Sequence, residues 1–134
     1  MRRFTPGQVA EQTGFTLDTL RYYERIGLLD GIERNSGGQR VFSEADIAWL
    51  RILRCLRDTG MPISRMVRYA ELARGGDETV AERLAVLEEH DEDIDRRIAL
   101  LREEQDHIRA KIDYYRRAMA EPAPADEETA VSQG

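Results

Sequence analysis

The apolar positions of this chain change period along its length, and each period predicts a different element. Near the start they come in short helical groups. Val9 and Ala10 follow Thr5-Pro6-Gly7-Gln8, where a hydroxyl N-cap, a first-turn proline and a Gln three residues on compose a capping box. Gly14 closes that helix. A second helix starts near Thr16, runs to about Arg25 and stops at Gly27. Two short helices across a tight glycine-containing turn predict a helix-turn-helix. Beyond Leu28-Leu29, the turn Asn35-Ser36-Gly37-Gly38 separates Ile32–Arg34 from Arg40–Phe42. That pattern predicts a small two-stranded hairpin leaning on the helices.

Helical spacing then returns. Ser43-Glu44-Ala45-Asp46 begins a third helix, which carries Ile47, Leu50, Leu53 and Leu56 to about Asp58, ahead of Gly60. Pro62 opens a fourth through Ile63, Met66, Val67 and Ala70, ending at Gly75-Gly76. From Thr79 the pattern steps by four and three through Val80, Leu84, Leu87, Asp91, Ile94, Ile98, Leu101, Gln105, Ile108, Ile112, Tyr115 and Met119. Only Asp91 and Gln105 in that series are polar. A heptad repeat this long predicts one helix, and roughly 40 residues at 1.5 Å each make it about 60 Å long. So narrow a seam needs another helix like itself, and the obvious donor is a second copy. The competing reading lays the helix on its own N-terminal domain, which is too small to cover all of it. Leu84, Leu87, Ile94, Ile98, Leu101, Ile108, Ile112 and Tyr115 are the expected dimerisation positions. Asp91 and Gln105 either fix the register of the pair or sit where the seam is loose and wet. His90 and His107 fall off the seam among acids and read as solvated surface. The expected division is a head at 1–75, a dimerisation helix at 76–120 and a disordered acidic tail at 121–134.

Composition narrows the function. The chain has 134 residues, 34% of them charged, enough for one compact domain and an appendage. No apolar run approaches the ~18–20 residues of a membrane span, and the N-terminus lacks the apolar stretch of a secretory signal. A single cysteine excludes an internal disulfide, and one Cys with two His gives no metal-site spacing. There is no Gly-rich phosphate loop and no Cys-His pairing, so an enzyme is not expected. These features predict a soluble cytoplasmic protein without metal or cofactor. The net charge of −6 argues against nucleic acid until its distribution is seen. Residues 1–75 hold 12 Lys+Arg against 9 Asp+Glu, whereas residues 76–134 hold 8 against 17. Lys111 is the only lysine, and arginine suits bidentate contact with phosphates and guanine edges.

On a helical wheel, Asp18, Arg21, Tyr22 and Arg25 share one stripe of the second helix, and Leu17, Leu20, Tyr23 and Gly27 lie opposite as core. The stripe is either a solvated face or the face that enters a major groove. In the second case Arg21 and Arg25 reach phosphates or base edges, Tyr22 donates to phosphate, and Thr19 reaches the backbone. The hairpin adds Arg34 and Arg40 beside a glycine tip, as in a wing. Cys55 lies among Arg51, Arg54 and Arg57, and positive charge favours the reactive thiolate. The other reading of Cys55 is a small buried hydrophobe.

Three stretches carry a family resemblance. They are Thr19-Leu20-Arg21-Tyr22-Tyr23-Glu24-Arg25-Ile26-Gly27-Leu28-Leu29, Gly38-Gln39-Arg40-Val41-Phe42-Ser43 with Asp46-Ile47, and Leu56-Arg57-Asp58-Thr59-Gly60-Met61-Pro62-Ile63. The chain resembles the MerR-type transcriptional regulators, closely over about 3–75 and in kind along the long helix. The resemblance implies a mainly α fold, with a winged helix-turn-helix followed by a long antiparallel coiled-coil dimerisation helix. It implies a homodimer on a pseudo-palindromic site in double-stranded promoter DNA, which it bends and untwists so that RNA polymerase engages. Gln39 stands where many members carry tyrosine, leaving more of the wing's work to Arg40. The cysteines that metal-sensing members carry near the end of the coiled coil are absent. Trp49 to Ile63 looks like the branch that answers aldehydes, electrophiles and nitrosative stress, in which a lone cysteine at the position of Cys55 is the proposed sensor. The competing expectation is a sensor-less architectural or excisionase-like DNA-binding protein with a structural Cys55.

Overall fold

The computed structural model describes residues 2–121. Local signals set most helix ends. Thr5 Oγ1 accepts from the Gln8 amide at 3.2 Å, and the Gln8 side chain accepts from the Thr5 amide at 2.9 Å, opening α1 (Pro6–Thr13) with a full capping box. Thr16 caps α2 (Leu17–Arg25) by accepting from the Thr19 amide at 3.1 Å. Ser43 and Asp46 make the same reciprocal pair at the start of α3 (Glu44–Asp58). Pro62 precedes α4 (Ile63–Ala73), and a 3-10 turn at Gly76–Thr79 leads into α5 (Val80–Ala120).

The expected hairpin forms, but within a larger sheet. β2 (Glu33–Arg34) and β3 (Arg40–Ser43) pair antiparallel with Arg34 opposite Arg40. β1 (Arg3–Phe4) adds to the other edge of β3, placing Phe4 opposite Phe42. Both rings are buried, which gives so short a strand its reason to pair. Ile32, expected on the ladder, instead packs against the core before β2 begins.

α3 runs through the centre of the head. Leu50 and Leu53 are wholly buried, with Val9, Phe15, Leu28, Phe42 and Met66 around them. Trp49 Nε1 donates to the Leu28 carbonyl at 2.7 Å, and its ring stacks on Tyr69 at 5.7 Å between centroids. The C-terminal half of α3 also braces the turn between α1 and α2. Arg54 donates through Nη1 to the Thr13 carbonyl at 2.5 Å and through Nε to Asp58 at 2.9 Å. The Arg57 guanidinium lies 4.9 Å over the Phe15 ring, which meets Tyr23 edge-on at 5.2 Å. The Arg54 hydrogen bond, helped by charge from both arginines, holds the Asp58 carboxyl below the usual carboxylate range. Burial raises the Tyr23 phenol above its ordinary value, with Arg57 pulling the other way.

The chain divides into two compact units, Met1–His90 and Asp91–Gly134. The first takes in the start of α5 as well as the 1–75 expected of the head. Val86 and Leu87 pack against the core, and Arg68 pairs with Glu82 at 3.8 Å. His90 corrects its reading as solvated surface. It is only 4% exposed, and its Nε2 lies 2.8 Å from Thr59 Oγ1. The reason is helical spacing: His90 follows Val86 and Leu87 by four and three residues, on the face that meets the head rather than on the heptad seam. The second unit, as far as described, is the remainder of α5. The expected acidic tail lies outside the described residues beyond Glu121.

Gly14 has φ +81°, and a Cβ there would fall 1.8 Å from Arg54 Nη1. Gly14→Ala therefore combines left-handed strain with loss of the Arg54–Thr13 bond, and urea unfolding should show about 2 kcal/mol of destabilisation. Arg54→Gln should cost less: it removes the Thr13 bond and a solvent-exposed pair with Asp58, but adds no backbone strain.

Candidate nucleic-acid interface

α2 carries the expected polar stripe. Arg21, Tyr22 and Arg25 are exposed, and Thr19 is half-buried. The side chains are ordered by neighbours rather than free in water. Arg21 Nη1 donates to Asp18 Oδ1 at 3.1 Å, and the Arg25 guanidinium lies 5.3 Å over the Tyr22 ring. Thr16 Oγ1, already the helix cap, lies 3.0 Å from the hydroxyl of Thr19. Tyr23 points inward and is buried, as its wheel position predicts. Leu17 does not follow its wheel position. It is 41% exposed, because the core ends at Leu20 and Tyr23 and the first turn of this short helix runs past it.

The wing arginines have different fates. Arg34 is exposed and donates through Nη1 to the Gly38 carbonyl at 2.9 Å, folding back on its own turn. Arg40 is half-buried, and its Nε donates to Glu24 Oε1 at 2.6 Å. The expectation that Arg40 carries the wing's outward work therefore changes: one of its donors ties the wing to α2. Like charges sit opposite each other at the Arg34–Arg40 pair, and Glu24 and the Gly38 carbonyl offset that repulsion. Nothing in the sequence spacing joins Glu24 to Arg40; the chain reversal at Gly27 and the wing bring them together. Arg21 and Arg40 also line one small cleft between α1, α2 and β3.

Cys55 is exposed near the end of α3, which removes the buried-hydrophobe reading within this chain. Its arginine neighbours are largely engaged elsewhere, Arg54 with Thr13 and Asp58, Arg57 with Asp58 and Phe15. Thr59 Oγ1 donates to the Cys55 carbonyl at 2.7 Å. The same hydroxyl lies 2.8 Å from Nε2 of His90. Sequence reasoning missed this link from the cysteine's turn to α5. Among the described residues, no three His, Cys, Asp or Glu side chains are grouped to hold a metal ion, and no helix is long and apolar enough to cross a membrane.

Along α5, Leu84, Ile98, Leu101, Ile108, Ile112 and Tyr115 are exposed, with Leu101 at 68% and Ile108 at 61%. Ile94 is half-buried, and Leu87 is partly spent on the head's own core. Asp91 and Gln105 are exposed on the same seam.

A winged helix-turn-helix with a basic recognition face, followed by a helix of 41 residues, defines a class of DNA-binding regulator. Comparison with known proteins places it further. The family model described as MerR HTH family regulatory protein matches residues 4–72, and that described as MerR, DNA binding matches residues 47–120. The chain belongs to the MerR family of DNA-binding transcriptional regulators. It is 36% identical over 117 residues to an uncharacterized HTH-type transcriptional regulator of Haemophilus influenzae, covering 87% of each chain. It is 42% identical over 82 residues to the regulator AdhR of Bacillus subtilis, a match spanning 61% of this chain and 59% of that protein. Among solved structures it is similar to HiNmlR, described as a MerR family regulator lacking the sensor domain and bound to promoter DNA. That likeness has a TM-score of 0.81 and 34% identity over 91% of this chain and 97% of that one. A MerR family regulator from Listeria monocytogenes gives a TM-score of 0.79 at 32% identity, over 97% and 91%.

The Glu24–Arg40 pair predicts a local effect. Glu24→Gln should speed hydrogen exchange of the Val41 amide about tenfold, the loss of one charge-assisted bond, and leave the Leu53 amide unchanged. Equal acceleration at both amides would show a global rather than a wing-specific role.

Proposed function

We propose that the chain acts as a homodimer on double-stranded promoter DNA, with α2 in the major groove and the wing against the neighbouring backbone. The observation that carries this reading is the uncovered aliphatic stripe of α5 in a chain whose head bears a basic recognition face. A second, antiparallel copy of α5 covers the stripe, so one assembly bears two DNA-reading heads and matches a pseudo-palindrome. Residues 1–75 are the DNA-reading head, 76–120 the dimerisation helix and 121–134 an acidic tail. Thr19, Arg21, Tyr22, Arg25 and Arg34 meet the DNA, while Arg40 contributes through its remaining guanidinium donors. HiNmlR, a relative of similar length, is described as bound to promoter DNA, and that supports the reading. Distortion of the promoter by the dimer presents it to RNA polymerase in the cytoplasm, with protein contacts supplying the deformation energy. The reading gives the chain no catalytic step.

Exposure of Cys55 favours one addition, regulation by electrophiles or nitrosative stress through that thiol. Modification adds bulk where α3 meets the Thr59–His90 link to α5, and shifts the balance between two DNA-bound states. The competing reading is an architectural DNA-binding protein that answers no signal.

Two experiments test these readings. Leu101→Asp with Ile108→Asp places charge on the stripe and should yield a folded monomer that binds a symmetric duplex at least tenfold more weakly. An unchanged dimer would remove α5 as the interface. Cys55→Ser should bind promoter DNA as the parent does and lose transcriptional induction by aldehydes or nitrosating agents; full induction in that variant removes the thiol as sensor.

A further inference from the structure

The middle of α5 carries charges in an order that the chain itself does not use. With Ile98 at position a of the heptad and Leu101 at position d, the central e positions hold Glu88, Asp95, Arg102 and Arg109, and the central g positions hold Arg97 and Glu104. All six side chains are exposed, and among the described residues none of the six makes an ion pair within the chain. Arg96, at a position off the seam, does pair within the chain, with Asp93. A shallow groove on the seam is lined by Ile98, Leu101, Gln105 and Ile108, with Arg102 on one rim and Glu104 on the other. The groove is thus apolar along most of its floor, cationic on one side and anionic on the other.

We propose that these charges fix one register of self-pairing, in which the groove seats Ile94 of a second, antiparallel copy of α5. The proposal rests on the dimer reading and adds to it which residues meet and why a second copy is preferred to another helix. Ile98 then lies opposite Leu101, Ile94 opposite Gln105 and Asp91 opposite Ile108. In an antiparallel pair, e positions face e positions and g positions face g. The partner's Asp95 therefore meets Arg102, the partner's Arg97 meets Glu104, and the partner's Arg109 meets Glu88. The two-fold makes each of these opposite-charge contacts twice. Further out, every flanking pair includes an alanine or the buried His90. Gln105 also comes within one layer of the partner's Asp91, so the two polar seam positions share a partner of suitable chemistry.

The other arrangements fail on charge. A slip of one heptad in one direction sets Asp95 against Asp95 and Arg97 against Arg97; in the other it sets Arg102 against Arg102 and Glu104 against Glu104. A parallel pair sets Asp91 against Asp91 inside the seam and Arg97 against Arg102. A single exposed ion pair adds little stability. Here the pairs change sign between registers, so they decide among alignments that an aliphatic seam alone leaves alike. A slip would move one copy along the other by about 10 Å, so the register also sets the half-site spacing that two heads can span. A related helix with a different charge order is refused by the same repulsions.

The test swaps charges in the full chain and follows assembly by sedimentation equilibrium and by energy transfer between differently labelled chains. Arg97→Glu sets two acids face to face at both symmetric places and should weaken self-association about tenfold; Glu104→Arg should do the same with two arginines. Mixed together, the two single variants should pair with each other in preference to themselves. A chain bearing both substitutions should regain the parental affinity. Arg96→Glu, off the seam, should self-associate as the parent does. Equal self- and cross-association of the single variants overturns the proposal, as does a doubly substituted chain that fails to recover. Equal weakening by Arg96→Glu also overturns it, by making the effect one of overall charge. A parent chain that stays monomeric overturns this proposal together with the dimer reading, whereas a parental dimer indifferent to Arg97 and Glu104 overturns this proposal alone.

Discussion

A stripe of aliphatic side chains on a long helix does not stay in water without cost. Burying one Leu or Ile side chain stabilises by about 1.5–3 kcal/mol, and α5 leaves Leu84, Ile98, Leu101, Ile108 and Ile112 largely uncovered. The stripe is narrow, two positions in seven, which suits a helix against a helix and not a helix against a sheet. Charged residues fill much of the flanks, although Leu100 beside the seam is also exposed. The proposed dimer follows from this constraint, and the double DNA-reading surface follows from the dimer.

Within the head, α3 holds the reading elements in place. Its apolar face supplies Ile47, Leu50, Leu53 and Leu56 to the core, while Arg54 and Arg57 reach from its later turns to the α1–α2 turn. The polar contacts extend the work of the apolar ones. Arg54 satisfies the Thr13 carbonyl at the end of α1, and Glu24 ties the wing to α2 through Arg40. The end of α3 also carries Cys55 and, through Thr59, meets His90 on α5. One short segment thus joins the thiol, the brace of the reading elements and the start of the long helix.

Much of this was legible in the chain itself, where the signals are local. The capping box at Thr5, the helix start at Ser43, the glycine stop at Gly14 and the heptads of α5 depend on residues within one or two turns of each other. The basic stripe of α2 was legible for the same reason. What the sequence withheld depends on residues far apart. Two residues of β1 carry no periodicity, and their pairing rests on Phe4 meeting Phe42. The Glu24–Arg40 bond spans the turn and the wing, and the burial of His90 needs Thr59 and the head core opposite it. Leu17 deceived the wheel because a wheel has no ends: it assigns a face and cannot say where along the axis the core stops.

The most direct test of the central claim is the mass of the parent chain by sedimentation equilibrium at micromolar concentration, alone and with a symmetric duplex that it selects. The account predicts the mass of two chains in both cases, with one pair bound per duplex. A single-chain mass in both would contradict it, because the stripe of α5 would then lie in water with nothing to cover it.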